Sequence, residues 1–572
     1  MATKKKAAKK KAATKTATKT ATKAAKKPPT AKLEQHEAKY GEGSATKALA
    51  PASFDPMALS PEAASTLINS DVKKPTWKSN KYPVSPETFK KLQAMAAIPD
   101  NMTLRALSAA DGSEPDTDNE DSPALAAFEQ PEFGPDDKSP SVAAPGLTSS
   151  FEAIPATGWV PPDCVVASGI NEVVGCVNSE FRIYSKSGSL LRRNPYGPFF
   201  SAVLPNNAGV KIFDPRIIFD HYSNRYVMIV AATQQSPARS WCGVAVSKTA
   251  DPMGAWWVWA LDAALNGATA TTNWMDYPML GFDGQAVYIG MSMFNGNTFQ
   301  YSKVRILNKT ELYSGSSVRW YDFWNLKNGD GSNAFTVQPC CHYRGAGAGP
   351  GYLINNYFGA NNKMTLWTIT NPLALWSGGT PSLSKTTVNC RTYDIPPSAK
   401  QKGSASAINT NDNRLLNAVF QHVGTTKRIW TAHNTKASWA GDAEARCAVQ
   451  WYEVDVPTSA VIQSNFYGQS GSYYFFPAIQ TDLNRNAFVV FGRCNSNEFA
   501  NLRITGRRVA APAGDLENSV LVKAGESSHL SGRYGDYFGI CRDGADANSI
   551  VAIGEYAESG NLWGTYVVRT RY

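Results

Sequence analysis

The chain has 572 residues and a formal charge of +10, from 57 Lys and Arg against 47 Asp and Glu. Eleven of the Lys fall in residues 1–30, which hold no acid; removing them leaves 46 basic against 47 acidic side chains in the other 542 residues, close to neutrality. This excludes a basic nucleic-acid-binding domain as a reading of the bulk of the chain, and the nine Cys, which form no CxxC pair, exclude a zinc-ribbon or thioredoxin-like motif.

The first 30 residues are Lys, Ala and Thr with a little Pro, and their cations are Lys4, Lys5, Lys6, Lys9, Lys10, Lys11, Lys15, Lys19, Lys23, Lys26 and Lys27. With nothing to bury, such a segment is expected to stay disordered when free and to bind DNA, RNA or another polyanion through its charge alone. In composition it resembles the Lys/Ala-rich tails of linker-histone-like proteins. It lacks the apolar stretch of a secretory signal, and no run approaches the roughly 18 apolar residues that span a bilayer. The expectation is a soluble chain made in the cytoplasm, with export by a signal-free route left open.

Residues 31–154 read as a low-complexity linker. Ser60-Pro61-Glu62 and Ser85-Pro86-Glu87 each offer a cap, a first-turn Pro and an early acid, and so predict two short helices. Residues 111–137 carry ten acids and no base, which reads as a solvated spacer.

From residue 155 to 572 short β-branched and aromatic runs alternate with Gly, Asn, Asp and Pro turns, and no long amphipathic helix interrupts them. One unit recurs seven times: a tight polar turn followed by a β-rich run. Taking Asn171, Tyr222, Gly284, Pro350, Asp412, Asn484 and Asp546 as markers, the gaps are 51, 62, 66, 62, 72 and 62 residues. A recurring strand unit of this length predicts an all-β fold, a single β-propeller of seven blades, or six if the first and last repeats share a sheet. The final run, Thr565-Tyr566-Val567-Val568-Arg569-Thr570-Arg571-Tyr572, is strand-like and is expected inside a blade. In Thr249-Ala250-Asp251-Pro252-Met253-Gly254-Ala255-Trp256, Asp is expected to accept backbone N–H groups, Gly to take positive φ and Trp to pack beneath the turn.

A family resemblance rests on an ordered set of segments. Pro161-Pro162-Asp163-Cys164 and Phe181-Arg182-Ile183-Tyr184 open it, and Asp214-Pro215-Arg216-Ile217-Ile218, the turn ending at Trp256, and Asp276-Tyr277-Pro278 follow. Arg533-Tyr534-Gly535-Asp536-Tyr537 and Gly554-Glu555-Tyr556 close it. Together they resemble a bacterial sialidase-like (BNR-type) β-propeller family across residues 155–572. The resemblance implies an Arg cluster for a substrate carboxylate, which maps to Arg216, Arg414 and Arg533, and acid/base and nucleophile positions, which map to Asp276, Glu555 and Tyr556. The Arg-Ile-Pro segment of the true enzymes is replaced here by Arg216-Ile217-Ile218. Read as architecture instead, Asp276 and Asp536 cap turns and Arg533 pairs with a neighbouring carboxylate.

Cys340-Cys341-His342 reads as buried thiols beside a histidine, and no metal or cofactor site is expected. The leading functional expectation is a binding propeller that recognises a glycan or protein ligand on its central face, with a polyanion-binding tail. A sialidase-like glycoside hydrolase using the same face is the alternative, and a nucleic-acid-anchored structural protein is a third reading.

Overall fold

The computed structural model describes residues 49–54, 82–83 and 144–572, apart from 206–208, 237 and 344–348. The Lys-rich tail, both linker helices and the acidic segment of the sequence reading lie outside these residues.

The regular structure of the described chain is almost entirely antiparallel sheet. The first sheet is built from Val165–Ser168, Glu172–Val177, Glu180–Ser185 and Leu190–Pro195, and the second from Val210–Asp220, Arg225–Gln235, Ala238–Ser247 and Trp256–Asp262. Another four-stranded sheet comprises Gln338–Pro339, Gly351–Asn356, Asn361–Thr370 and Ser382–Tyr393. The penultimate sheet holds Tyr473–Thr481, Ala487–Asn495, Glu498–Arg507 and Val520–Lys523. The closing sheet holds Gly539–Arg542, Ile550–Glu558 and Leu562–Arg571.

Between them lies a nine-stranded sheet made of two antiparallel quartets, one over 274–324 and one over 417–467. The short strand Cys341–Tyr343 joins them and runs parallel to the first strand of each. The first strand of each sheet packs on the first strand of the next, and Gly539–Arg542 of the closing sheet returns to Val165–Ser168 of the first. Sheets arranged radially with their first strands around one axis make a β-propeller.

Burial follows this plan. Second strands are covered on both faces by neighbouring sheets, so Arg225–Gln235 is buried at eight consecutive positions and reads as an unbroken apolar run. Outer strands face water: Ser382–Tyr393 is largely exposed. The inner strands approach very closely where the ring closes. A Cβ added at Gly539 would stand 2.7 Å from the Val165 Cα, so this contact requires glycine.

Three inner strands carry the same device at mid-strand. Asp214-Pro215, Tyr277-Pro278 and Phe476-Pro477 each place two residues opposite one on the second strand, a β-bulge. Asp214, Tyr277 and Phe476 have φ of 52°, 46° and 54°, in the left-handed region that L-residues rarely adopt. Side chains from neighbouring segments hold two of them: Asn178 Oδ1 accepts from Asp214 N at 2.7 Å, and Asn434 Oδ1 accepts from Phe476 N at 2.8 Å.

Two expectations are corrected. Strand pairing begins before residue 155: Gly146–Pro155 pairs antiparallel with Leu562–Arg571 and is the outer strand of the closing sheet, with Gly146 opposite Arg571. Further upstream, Ala52–Phe54 adds an edge strand to the second sheet against Trp256–Val258. The strip 31–154 is therefore not linker throughout, because polar segments can add to an exposed sheet edge through their backbone alone. Six of the seven marker turns join, or lead into, the second strand of a repeat. The fifth, Asn411-Asp412-Asn413, instead precedes the first strand of its quartet, Asn417–Val423. The turn that follows that strand is the tight hairpin Gly424-Thr425, with Gly424 at φ 59°, which needs no Asp or Asn.

The Asp251 turn forms as expected in two respects. Asp251 Oδ1 accepts from Met253 N at 2.7 Å, and the fully buried Trp256 donates its indole N–H to Pro252 O at 3.0 Å. Gly254, however, is not among the residues of positive φ. No helix among the described residues is long and apolar enough to cross a membrane.

Candidate functional site at the channel mouth

The first strands all run the same way along the axis, so their N-terminal ends share one mouth of the channel. Arg216 follows the Asp214-Pro215 bulge there. It is buried, donates Nε–H to Pro278 O at 2.9 Å, and lays its guanidinium over the Tyr537 ring, 3.4 Å from the centroid, with Tyr277 at 5.2 Å. Arg414, from the displaced turn before Asn417, also lies over Tyr277, 4.3 Å from its centroid, and over Phe335 at 4.8 Å. Its charge is met by Asp412, whose Oδ1 accepts from Arg414 Nε at 2.7 Å.

Arg533 comes from the segment leading into the closing sheet and pairs with Asp536 at 2.7 Å, as the architectural reading expects. The 409–414 and 532–533 segments touch through Asn409 N, which donates to Gly532 O at 3.1 Å. Asp536 N donates in turn to Asp163 Oδ1 at 2.8 Å, and Asn178 Nδ2 donates to the other oxygen of Asp163. The three arginines, distant in sequence, thus converge on one cluster of tyrosines and carboxylates.

Glu555 lies on the second strand of the closing sheet behind this cluster. It is fully buried, and neither carboxyl oxygen has a hydrogen-bond partner among the described residues. Burial, then the charges of Asp163 and Asp536, push its pKa well above the usual carboxylate range, which favours the neutral acid. His529 Nδ1, also unpaired, stands 4.0 Å from Glu555 Oε1. Burial lowers the His529 pKa to about 4, so the imidazole is neutral too. Tyr534 donates its hydroxyl to the Glu555 backbone carbonyl at 3.0 Å and not to its carboxyl.

Tyr556 does not join the site. Neighbouring residues in a strand point to opposite faces, and Tyr556 turns outward, donating to Glu152 Oε1 at 3.2 Å beside Lys523, whose ammonium sits 4.6 Å from its ring. Asp276 is half-buried and stands beside Tyr277 at the bulge, opposite Ser292. The sequence reading missed Asp163, Asp412, His529, Tyr277 and Tyr537 as members of the cluster. The aromatic-Pro and Asp-Pro pairs within inner strands were the available signal.

Below the mouth the channel narrows to a cavity of about 80 Å3 lined by Arg216, Gln338, Gln480 and apolar residues of the first strands.

No protein-family model matches the sequence, and no curated protein does. Among solved structures, the chain is similar to a protein of unknown function from Dyadobacter fermentans (10% identity, 64% of this chain and 96% of that one, TM-score 0.32). It is likewise similar to the GH93 alpha-L-arabinofuranosidase of Fusarium graminearum (9%, 74% and 97%, TM-score 0.34) and to the phage phi92 endosialidase (8%, 75% and 69%, TM-score 0.33).

Proposed function

We propose that this chain is a binding propeller whose channel mouth takes a carboxylate-bearing glycan. One observation carries the reading: Arg216, Arg414 and Arg533, from three different parts of the ring, gather around Tyr277, Tyr537 and Asp536. Guanidinium groups recognise carboxylates in a bidentate fork, and tyrosine faces suit sugar rings. Arg533 is the most accessible of the three, its side chain 14% exposed, and is the first contact offered to a ligand. The two halves of the nine-stranded sheet count as two blades in this reading, fused by Cys341–Tyr343, which brings the ring to seven. The Lys-rich residues 1–30 would add sequence-independent attachment to a polyanion.

A sialidase-like hydrolase is the second reading, favoured by Glu555: a buried, protonated carboxyl beside an arginine cluster is suited to general acid chemistry. The experiment is a glycan array on the full chain with the Arg533→Gln variant alongside, and a panel of fluorogenic glycosides. Binding of acidic glycans that Arg533→Gln abolishes, without turnover, supports the binding reading. Turnover that Glu555→Gln abolishes would replace it with the hydrolase. Binding indifferent to Arg533 would refute both.

A further inference from the structure

The other end of the channel holds a second cavity, which shares the Phe219 and Tyr343 walls with the first. It has a volume of about 360 Å3 and is walled by Phe219, His221, Tyr343, Leu483, Arg542 and Ala547. These residues come from the C-terminal ends of first strands and the turns after them, the opposite end from Arg216 and Arg533. We propose that this cavity is a second binding site, for a small carboxylate with an aromatic body.

The charge comes from Arg542. Its Nε donates to Thr481 O at 2.6 Å, and Nη2 donates to Thr481 Oγ1 at 3.3 Å and Asp482 O at 3.1 Å. These bonds fix the guanidinium over Tyr343, 4.1 Å from the ring centroid. Nη1 has no protein acceptor among the described residues, and no carboxylate lies within ion-pair distance of the group. Asp543 also lines the cavity, but it is committed to Lys186 and Arg569, each at 2.6 Å. Burial lowers the Arg542 pKa to about 10 although Tyr343 and the Asp482 carboxylate, which lies beyond ion-pair distance, pull the other way, so an anion in direct contact would relieve the cost of burying the charge. Among the buried arginines, Arg305 and Arg414 hold a carboxylate of their own, whereas Arg216 and Arg507 bond backbone carbonyls as Arg542 does; Arg542 differs from these in opening on a cavity of this size.

The body of the ligand follows from the walls. His221 stacks on Tyr343 at 5.1 Å with the planes 11° apart, and Phe282 sets its edge to both rings. The rim carries Leu483, 53% exposed, and Val423, 41% exposed. The turns of the last two sheets that frame it are tied by Leu483 N donating to Ala547 O at 3.3 Å. An inorganic anion would satisfy Arg542 and leave these apolar faces in contact with water. A flat aromatic acid covers them, and the volume falls in the range of small-molecule sites.

The test uses the full chain with naphthoate as probe and naphthalenemethanol as its neutral counterpart, read by titration calorimetry and saturation-transfer NMR. Naphthoate should bind and the alcohol should bind about tenfold more weakly or not at all. Arg542→Gln should lose binding. Because Arg542 also holds two backbone carbonyls, Leu483→Glu provides a second variant at an exposed position; its added charge at the rim should weaken naphthoate about tenfold. Arg533→Gln, at the other mouth, should leave naphthoate binding unchanged. No binding at millimolar naphthoate, equal binding of the alcohol, or indifference to both Arg542→Gln and Leu483→Glu would overturn the proposal.

Discussion

The guanidinium of Arg216 lies 3.4 Å from the centroid of the Tyr537 ring, and Tyr537 donates its hydroxyl to Pro215 O, the residue before Arg216, at 3.1 Å. The two residues therefore hold each other: the ring supports the cation, and the hydroxyl pins the bulge that aims it. Tyr537 belongs to the start of the closing sheet and Arg216 to the second, so this pair also spans the first sheet between them.

Removing only the hydroxyl separates these roles. Tyr537→Phe should cost about 0.5–1.5 kcal/mol, the usual worth of one buried hydrogen bond, while keeping the cation over a ring. Tyr537→Leu loses the ring as well and should cost more, by about 2–4 kcal/mol in total. Denaturant titration of both variants measures the order, and equal losses would show that the ring face contributes nothing.

Glu555 makes stability depend on pH in an unusual direction. Its folded pKa lies above its unfolded value, so the folded state holds the proton more tightly. The stability it confers is full below the unfolded value, about pH 4.3, and declines as pH rises, by up to about 1.4 kcal/mol per pH unit. Glu555→Gln removes this slope. The variant should match the parent near pH 4 and exceed it at pH 7.5 in chemical denaturation. A constant difference across that range would mean that Glu555 is ionised in the native state.

Histidines act at the acid side. Burial lowers His433 to about 3 and His529 to about 4, so both are neutral in the fold and take up protons on unfolding. Their contribution is complete above the unfolded value of about 6.5 and is lost as pH falls towards the folded values, at about 1.4 kcal/mol per pH unit for each. Melting temperature should fall between pH 6.5 and 4, and His433→Gln should flatten that fall. His433 packs face to face with Tyr452 at 5.6 Å, so the variant also lowers the plateau.

All nine cysteines are free thiols, seven of them buried and Cys341 and Cys390 partly so. Burial pushes the Cys341 and Cys390 pKa values up to about 12, which leaves little thiolate to react. Native protein should therefore react slowly with a thiol reagent at neutral pH, and denatured protein should release nine equivalents. Fast native labelling of several groups would contradict the packing around them.

The outer strand Gly146–Pro155 sets where the chain can be shortened. A chain starting at residue 144 keeps this strand, gives up only the short edge pairings of Ala52–Phe54 and Tyr82–Pro83, and should still unfold in one cooperative transition. One starting at residue 158 loses that strand, bares the edge of Leu562–Arg571, and should melt lower and aggregate. Equal melting of the two would show that the added strand contributes no stability.

Much of the fold is written in local chemistry. Turn residues and β-branched runs suffice for a strand-rich ring, and the Asp251 turn follows from what Asp and Trp can do within eight residues. The convergence of Arg216, Arg414 and Arg533 was legible only through an ordered family pattern, because nothing local relates positions so far apart. Period-two alternation already separates Glu555 from Tyr556, and applying it would have removed Tyr556 from the site. The strand at Gly146–Pro155 was hidden for a different reason: its half-exposed, Ser-rich face carries little apolar signal, and its place depends on a partner at the far end of the chain.

That partnership has a cost in time. Thr148 donates its hydroxyl to Arg569 O across 421 residues of sequence. At about 5–20 residues per second, the ribosome delivers the second strand roughly 20–80 s after the first. For that interval Gly146–Pro155 has no mate within its own molecule, and the equivalent strand of a neighbouring nascent copy offers the same backbone pattern.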